Sequence, residues 1–172
     1  MLNIGKIKVV PGAQMPVELC REPDPVVYGY KDFRLAAPLV FCGEVENQGD
    51  LLKVQGRVTA QLLLVCDRCG QGFVLPRAAD IEEYYSPRQP DIETLGEQEI
   101  HFFSGDTIDI FPELLAQLYL LLPMKILCHP NCQGLCQNCG RLLTESACTC
   151  QEDSIDPRWE KLQELSLKGN SE

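Results

Sequence analysis

Six cysteines fall within 23 residues near the end of the chain. They read Cys128-His129-Pro130-Asn131-Cys132, then Cys136-Gln137-Asn138-Cys139-Gly140, then Cys148-Thr149-Cys150, and a further Cys66-Asp67-Arg68-Cys69-Gly70 lies upstream. No other feature constrains the fold so tightly. Eight thiols in four close pairs are the ligand supply of two tetrahedral four-thiolate zinc sites, since a short pair presents two sulfurs from one bend of backbone. A glycine directly after the pair suits metal better than a disulfide, because the small turn lets backbone amides point at the bound sulfurs. Compartment decides between the two chemistries. The first eight residues carry no long apolar segment of the secretory kind, and the longest apolar run, residues 118–124, is far short of the ~20 residues of a spanning helix. The expectation is therefore a cytoplasmic protein that uses its cysteines for structural zinc, with no membrane contact.

Locality partitions the ligands. Cys136, Cys139, Cys148 and Cys150 close one compact, ribbon-like site; Cys66 and Cys69 then join Cys128 and Cys132 in a second. Two alternatives stay open. Cys132 could serve the ribbon in place of Cys148 or Cys150, because Cys-x-Cys is a tighter chelate than most zinc turns use. His129 could supply a nitrogen, although a lone histidine between two cysteines is more often a bystander. A closed four-cysteine site is structural, whereas catalytic zinc keeps an open position. His101, in an apolar strand-like context, reads as a satisfied structural histidine. Cys20 and Cys42 stand alone and read as small buried hydrophobes. Cys66-x-x-Cys69 lies between two strands, not at the strand-to-helix junction of a thioredoxin-like motif. With no glycine-rich nucleotide loop and no catalytic carboxylate pair, the reading is not an enzyme, and no small-molecule substrate is expected.

Periodicity supplies the scaffold. Residues 6–10 alternate like a strand, and Glu22-Pro23-Asp24-Pro25 is a break. Residues 39–45 read as a strand, Asn47-Gln48-Gly49-Asp50 as a hairpin turn, and residues 51–65 as a long second strand. Val54, Val58, Ala60, Leu62 and Leu64 share one face of that strand, and Lys53, Gln55, Arg57, Thr59 and Gln61 the other, the period-2 mark of a half-buried strand. Residues 73–85 return as a third strand, where Pro76 indicates an edge or a bulge. Residues 86–99 are loop-like and 99–103 a short strand. Asp109 can cap a helix over 110–122, with Pro112 in its first turn and Pro123 ending it. Leu114, Leu115, Leu118, Leu121 and Leu122 recur at helical spacing, which favours packing on the sheet. Residues 156–165 read as a short terminal helix with Trp159, Leu162 and Leu165 on one stripe. The fold class expected is α+β: a mainly antiparallel sheet packed by one Leu-rich helix (residues 1–127), a zinc-ribbon-like segment (128–152), and a terminal helix and tail (153–172).

Charge limits the partners. The net charge is −10, and two four-thiolate zinc sites would take the chain to about −14. Nonspecific nucleic-acid affinity needs clustered Lys and Arg, so any RNA contact must use a local patch. Between Arg88 and Lys125 there is no Lys or Arg but seven acidic residues. The ordinary reading of that stretch is a solvated surface; the functional one is a surface that repels RNA or meets a basic partner.

Taken jointly, these residues resemble a known family. An alternating strand ends in Leu64-Val65-Cys66-Asp67-Arg68-Cys69-Gly70. A Leu-rich helix runs into Leu122-Pro123-Met124-Lys125, followed by Cys132-x-Gly134-Leu135-Cys136-x-x-Cys139-Gly140 and Cys148-x-Cys150. This pattern is similar to the YceD family, the large ribosomal RNA subunit accumulation proteins, over about residues 39–150. The family usually has an Asn-containing turn where this chain has Arg141-Leu142-Leu143-Thr144, a departure at the ribbon tip that leaves the ligands in place. The resemblance implies a role in large-subunit ribosomal RNA accumulation or processing and in ribosome assembly, with Cys66, Cys69, Cys132, Cys136, Cys139, Cys148 and Cys150 as a metal and structural set.

On that footing the expected partner is precursor large-subunit ribosomal RNA or an early ribosomal protein. The basic residues available for RNA are Lys53, Arg57, Arg68, Lys125 and Arg141. A rival reading is an adaptor that docks a basic protein without touching RNA, since opposite charge steers association. A thiol oxidoreductase using Cys66 and Cys69 is the weaker third.

Overall fold

The alternation read in residues 51–65 becomes β5 (Leu52–Val65), the strand around which the first unit is built. Val54, Val58, Leu62 and Leu64 are essentially inaccessible to solvent, while Arg57, Thr59 and Gln61 on the opposite face are exposed. The computed structural model describes residues 1–23, 34–88, 100–143 and 148–150, and it divides into two units, Met1–Cys132 and Gln133–Glu172. Cys128 and Cys132 go with the sheet unit. Residues 24–25 of the expected break, residues 89–99 of the expected loop, Thr144 of the ribbon tip and the terminal helix at 156–165 lie outside the described residues.

In the first unit a short pair, β1 (Leu2–Asn3) with β8 (Thr107–Ile108), accompanies a six-stranded sheet. That sheet runs β2 (Gln14–Arg21), β4 (Leu39–Asn47), β5, β6 (Gly72–Ser86), β7 (Ile100–Phe102), with β3 (Arg34–Leu35) also pairing β5. The β2–β4, β3–β5, β4–β5 and β5–β6 pairs are antiparallel, and the three-residue β6–β7 pair is parallel. Pro76 pairs Gln61 in unbroken register, on a stretch of β6 that β7, confined to Tyr84–Ser86, does not reach. α1 (Phe111–Leu120) packs on β6 and buries Phe111, Leu114 and Leu118. It is shorter than the 110–122 reading. Ile110 occupies the cap position without a side-chain cap, and Asp109 Oδ1 instead accepts the Phe111 N–H at 3.2 Å.

Two sequence expectations fail. Residues 6–10 are a series of turns: Ile7 and Lys8 donate to Ile4 O, Val10 donates to Ile7 O, and Ile4 and Ile7 are buried three apart. The alternation there was accidental, since Val9 is 70% exposed. The segment is held by Asn47, whose buried amide donates to Ile7 O at 2.7 Å and accepts from Gly49 N at 2.7 Å. Cys20 and Cys42, expected to be buried, are exposed, because β4 turns Phe41 and Val45 to the core and Cys42 outward. One close approach fixes the middle of the sheet. Gly43 pairs Gly56, and a Cβ on either would lie 2.8 Å from Cζ of Phe41, so the ring covers both glycines on the core side.

Candidate metal centres

β5 leaves the sheet at Cys66, and a tight turn brings the chain back into β6. Cys66 N–H donates to Gln71 O at 2.9 Å, Gly70 N–H donates to Cys66 O at 2.9 Å, and Gly70 takes φ +71°, a left-handed conformation that favours glycine. This turn draws the end of α1 and its trailing loop alongside. Asp67 N–H donates to Ile126 O at 2.8 Å, and Asp67 Oδ2 accepts Ile126 N–H at 2.6 Å. That two-point clamp sets Cys128 beside the turn. Cys132 N–H donates to His129 O at 3.0 Å, which curls Cys132 back toward Cys128, and the Arg68 guanidinium donates to Cys132 O. The four thiols of Cys66, Cys69, Cys128 and Cys132 converge within 4.8 Å of one another, and all but Cys128 are buried.

The second unit repeats the turn. Cys136 N–H donates to Arg141 O at 2.8 Å, Gly140 N–H donates to Cys136 O at 2.9 Å, and Gly140 takes φ +71°. Leu135 bridges Leu142, and Leu143 N–H donates to Gly134 O at 3.0 Å, so the turn sits at the tip of a minimal hairpin. Cys148 and Cys150 complete a second group of four thiols within 4.8 Å, with Cys139 and Cys150 exposed. Among the described residues these are the two groups of three or more His, Cys, Asp or Glu side chains close enough to share a metal ion. The partition is the one locality indicated. His129 stands outside it, its Nδ1 accepting Asn131 N–H at 3.1 Å.

Both groups fit a tetrahedral tetrathiolate. Zn–S bonds of 2.3 Å imply S···S edges of about 3.8 Å. Cys66–Cys132 is 3.9 Å and Cys69–Cys128 3.7 Å; in the second group Cys139–Cys148 is 3.5 Å and Cys136–Cys148 3.3 Å. The electrostatics agree. Burial opposes ionisation of Cys66, but the N–H groups of Cys128, Cys69 and Arg68 outweigh it and bring the thiol down to about 6. The Cys139 and Asn138 N–H groups bring Cys136 down to about 6 in the same way. Two thiols of each group are shifted the other way. Burial and its neighbouring sulfurs push Cys128 up to about 12, and the Cys148 and Cys139 thiols push Cys150 up to about 12. Each group thus holds one thiol eased toward the thiolate and two held back from it, which a cation beside them would help to ionise.

Two of the five cations named for RNA are ion-paired on the sheet. Lys53 Nζ lies 3.1 Å from Glu82, whose carboxylate holds the ammonium above its ordinary range, and Arg57 lies 3.3 Å from Asp80. Arg68 reaches Cys132 O beside the first group of thiols, Lys125 belongs to the same unit, and Arg141 lies on the second turn. His101 is held between Glu83 (Nε2, 3.2 Å) and Glu113 (Nδ1, 3.4 Å), in keeping with a structural role. The Asp67 clamp was missed by the sequence reading; its signal is a carboxylate directly after the first cysteine of the turn.

Comparison with known proteins places this geometry in context. Residues 54–166, about two thirds of the chain and inclusive of the eight cysteines of the two groups, match the family model described as large ribosomal RNA subunit accumulation protein YceD. An uncharacterized protein of Mycobacterium tuberculosis is 33% identical over 124 residues, covering 70% of this chain and 58% of its own length. A chloroplastic large ribosomal RNA subunit accumulation protein YCED homolog of Zea mays is 27% identical over 147 residues, covering 69% of this chain and 50% of the maize protein. The uncharacterized protein YlbN of Bacillus subtilis is 23% identical over 142 residues, covering 82% and 81%. The chain spans between half and three fifths of the length of the mycobacterial and maize relatives it matches. No solved structure matches it. With the strand that enters the first cysteine turn and both groups of four thiols inside the matched segment, the chain belongs to the YceD family of large ribosomal RNA subunit accumulation proteins.

Proposed function

We propose that this protein is a non-enzymatic factor, held in shape by two structural zinc ions, that supports accumulation and processing of large-subunit ribosomal RNA during ribosome assembly in the cytoplasm. It acts by binding precursor ribosomal RNA or an early ribosomal protein. The observation that carries the reading is the pairing of family membership with two separate four-thiol groups of tetrahedral dimensions. Cys66, Cys69, Cys128 and Cys132 would hold one ion, and Cys136, Cys139, Cys148 and Cys150 the other, the second as a zinc ribbon. Four thiolates fill a tetrahedral ion's coordination and leave no position for water or substrate, so the metal supplies folding energy and no Lewis-acid chemistry. A redox role for Cys66 and Cys69 is disfavoured by the same geometry, because both thiols are drawn toward Cys128 and Cys132 in a turn between two strands.

The test is deletion of the gene, complemented by the wild-type chain and by Cys66→Ser and Cys139→Ser variants. The expected result is a fall in mature large-subunit ribosomal RNA relative to small-subunit RNA, restored by the wild type. Unchanged large-subunit RNA in the deletion would contradict the reading.

A further inference from the structure

The outer face of the sheet, the side turned away from α1, has a chemistry of its own. At the hairpin end, cross-strand register places Glu18 opposite Cys42, Glu44 opposite Gln55, Glu46 opposite Lys53, Asp80 opposite Arg57 and Glu82 opposite Gln55. Five carboxylates therefore share this part of the face with two cations, Lys53 and Arg57, and each cation is already matched by one carboxylate. Glu44 is held by the amide of Gln55, and Glu46 by those of Gln14 and Gln48, at 3.3 Å and 3.1 Å. Amides order these carboxylates without neutralising them.

At the other end, toward Cys66, the same face turns apolar. Leu63 pairs directly with Val74, Val65 follows along β5, and the three are 42%, 48% and 60% exposed in the order Leu63, Val74, Val65. A shallow groove lined by Pro38, Val40, Thr59, Gln61, Pro76 and Ala78 lies between this patch and the charged end. Arg34, opposite Leu63 on β3, is one cation at that end. Contiguous exposed apolar side chains beside a predominantly acidic area mark a protein-binding surface. Phosphate would meet excess carboxylate at one end and, at the other, aliphatic side chains where stacking on bases calls for aromatic ones.

We propose that this outer face is the docking surface for a basic polypeptide segment whose Lys and Arg side chains meet Glu18, Glu44 and Glu46 while its apolar side chains cover Leu63, Val65 and Val74. That this segment belongs to a ribosomal protein rests on the function proposed above; the surface and the chemistry it selects do not.

The test uses the full zinc-loaded chain and two probes, purified large-subunit ribosomal proteins freed of RNA, and protein-free large-subunit ribosomal RNA. The wild type is expected to retain one or a few basic proteins, with retention falling as salt is raised. Glu44→Lys with Glu46→Lys should weaken that binding about tenfold or more, since like charges then face each other across the contact. Leu63→Ser with Val74→Ser, an independent pair at the other end, should also weaken it. Lys53→Gln with Arg57→Gln should leave it as tight or tighter, because it removes the two cations the partner would face. Retention of RNA in place of protein, loss of binding in the Lys53→Gln/Arg57→Gln variant, or full binding by both of the other pairs would each overturn the proposal. A deletion strain with normal large-subunit RNA would remove the ribosomal assignment and leave these binding results standing.

Discussion

The two groups of four thiols share one turn and differ in everything around it. Cys66-x-x-Cys69-Gly70 and Cys136-x-x-Cys139-Gly140 repeat the same backbone hydrogen bonds and the same φ of +71° at glycine. In the first group the partner cysteines arrive from about sixty residues away, after α1, and three of the four are buried. In the second they arrive within 14 residues of Cys136, and two are exposed. A metal in the first site closes a long loop and ties β5 and β6 to the segment after the helix. A metal in the second closes a short one and orders only its own unit. Closure of a long loop removes more freedom from the unfolded chain, and burial adds desolvated contacts that a local site lacks. With metal bound, the same motif would be a clamp on the fold in one place and a self-contained local site in the other.

Substitution of a clamp ligand should have the largest effect. Cys66→Ser or Cys132→Ser is expected to lose one zinc and most of the stability of the sheet unit, out of a total on the order of 5–15 kcal/mol for a domain of this kind. Cys139→Ser should also lose one zinc while leaving the denaturant midpoint of the sheet, followed by far-ultraviolet circular dichroism, close to wild type. Equal destabilisation by both would erase the distinction drawn here. Next comes accessibility. With a chelator and a thiol reagent, Cys139 and Cys150 should be alkylated before Cys66 and Cys132, as peptide mapping by mass spectrometry would register; the reverse order would mean that burial does not govern metal release.

Smaller effects sharpen the role of the clamp. Asp67→Ala removes the acceptor for Ile126 N–H and should cost about 1–3 kcal/mol in unfolding free energy. Gly56→Ala would place a Cβ 2.5 Å from Cys42 O and should destabilise by about 1–3 kcal/mol. Arg57→Gln, at an ion pair with both side chains exposed, should stay within about 0.5 kcal/mol of wild type by the same measurement.

Much of this was legible before any coordinates. β5 could be read because its alternation runs unbroken over many residues with charged groups on one face, so only one orientation buries it well. The grouping of the thiols into two fours could be read because close pairs must be satisfied by other close pairs. Other features depend on facts outside any local window. The run Leu39-Val40-Phe41-Cys42 is apolar throughout, so nothing in it says that Cys42 faces outward; the packing of Phe41 over Gly43 and Gly56 decides that. Residues 6–10 alternate by chance, and the burial of Ile4 and Ile7 against the hairpin sets their turns. The pairing of Lys53 with Glu82 and of Arg57 with Asp80 is set by cross-strand register, which no local window contains. The three-residue parallel pairing of β7 is too short to carry a pattern of its own.

The central claim, two independent tetrathiolate sites of which the first clamps the fold, is tested most directly by metal content. Native mass spectrometry of protein purified without added metal should show two zinc ions per chain, and one in each of Cys66→Ser and Cys139→Ser, with the sheet unit destabilised only in the former. One zinc or none in the wild type, with Cys66 and Cys69 freely reactive toward a thiol reagent, would contradict it.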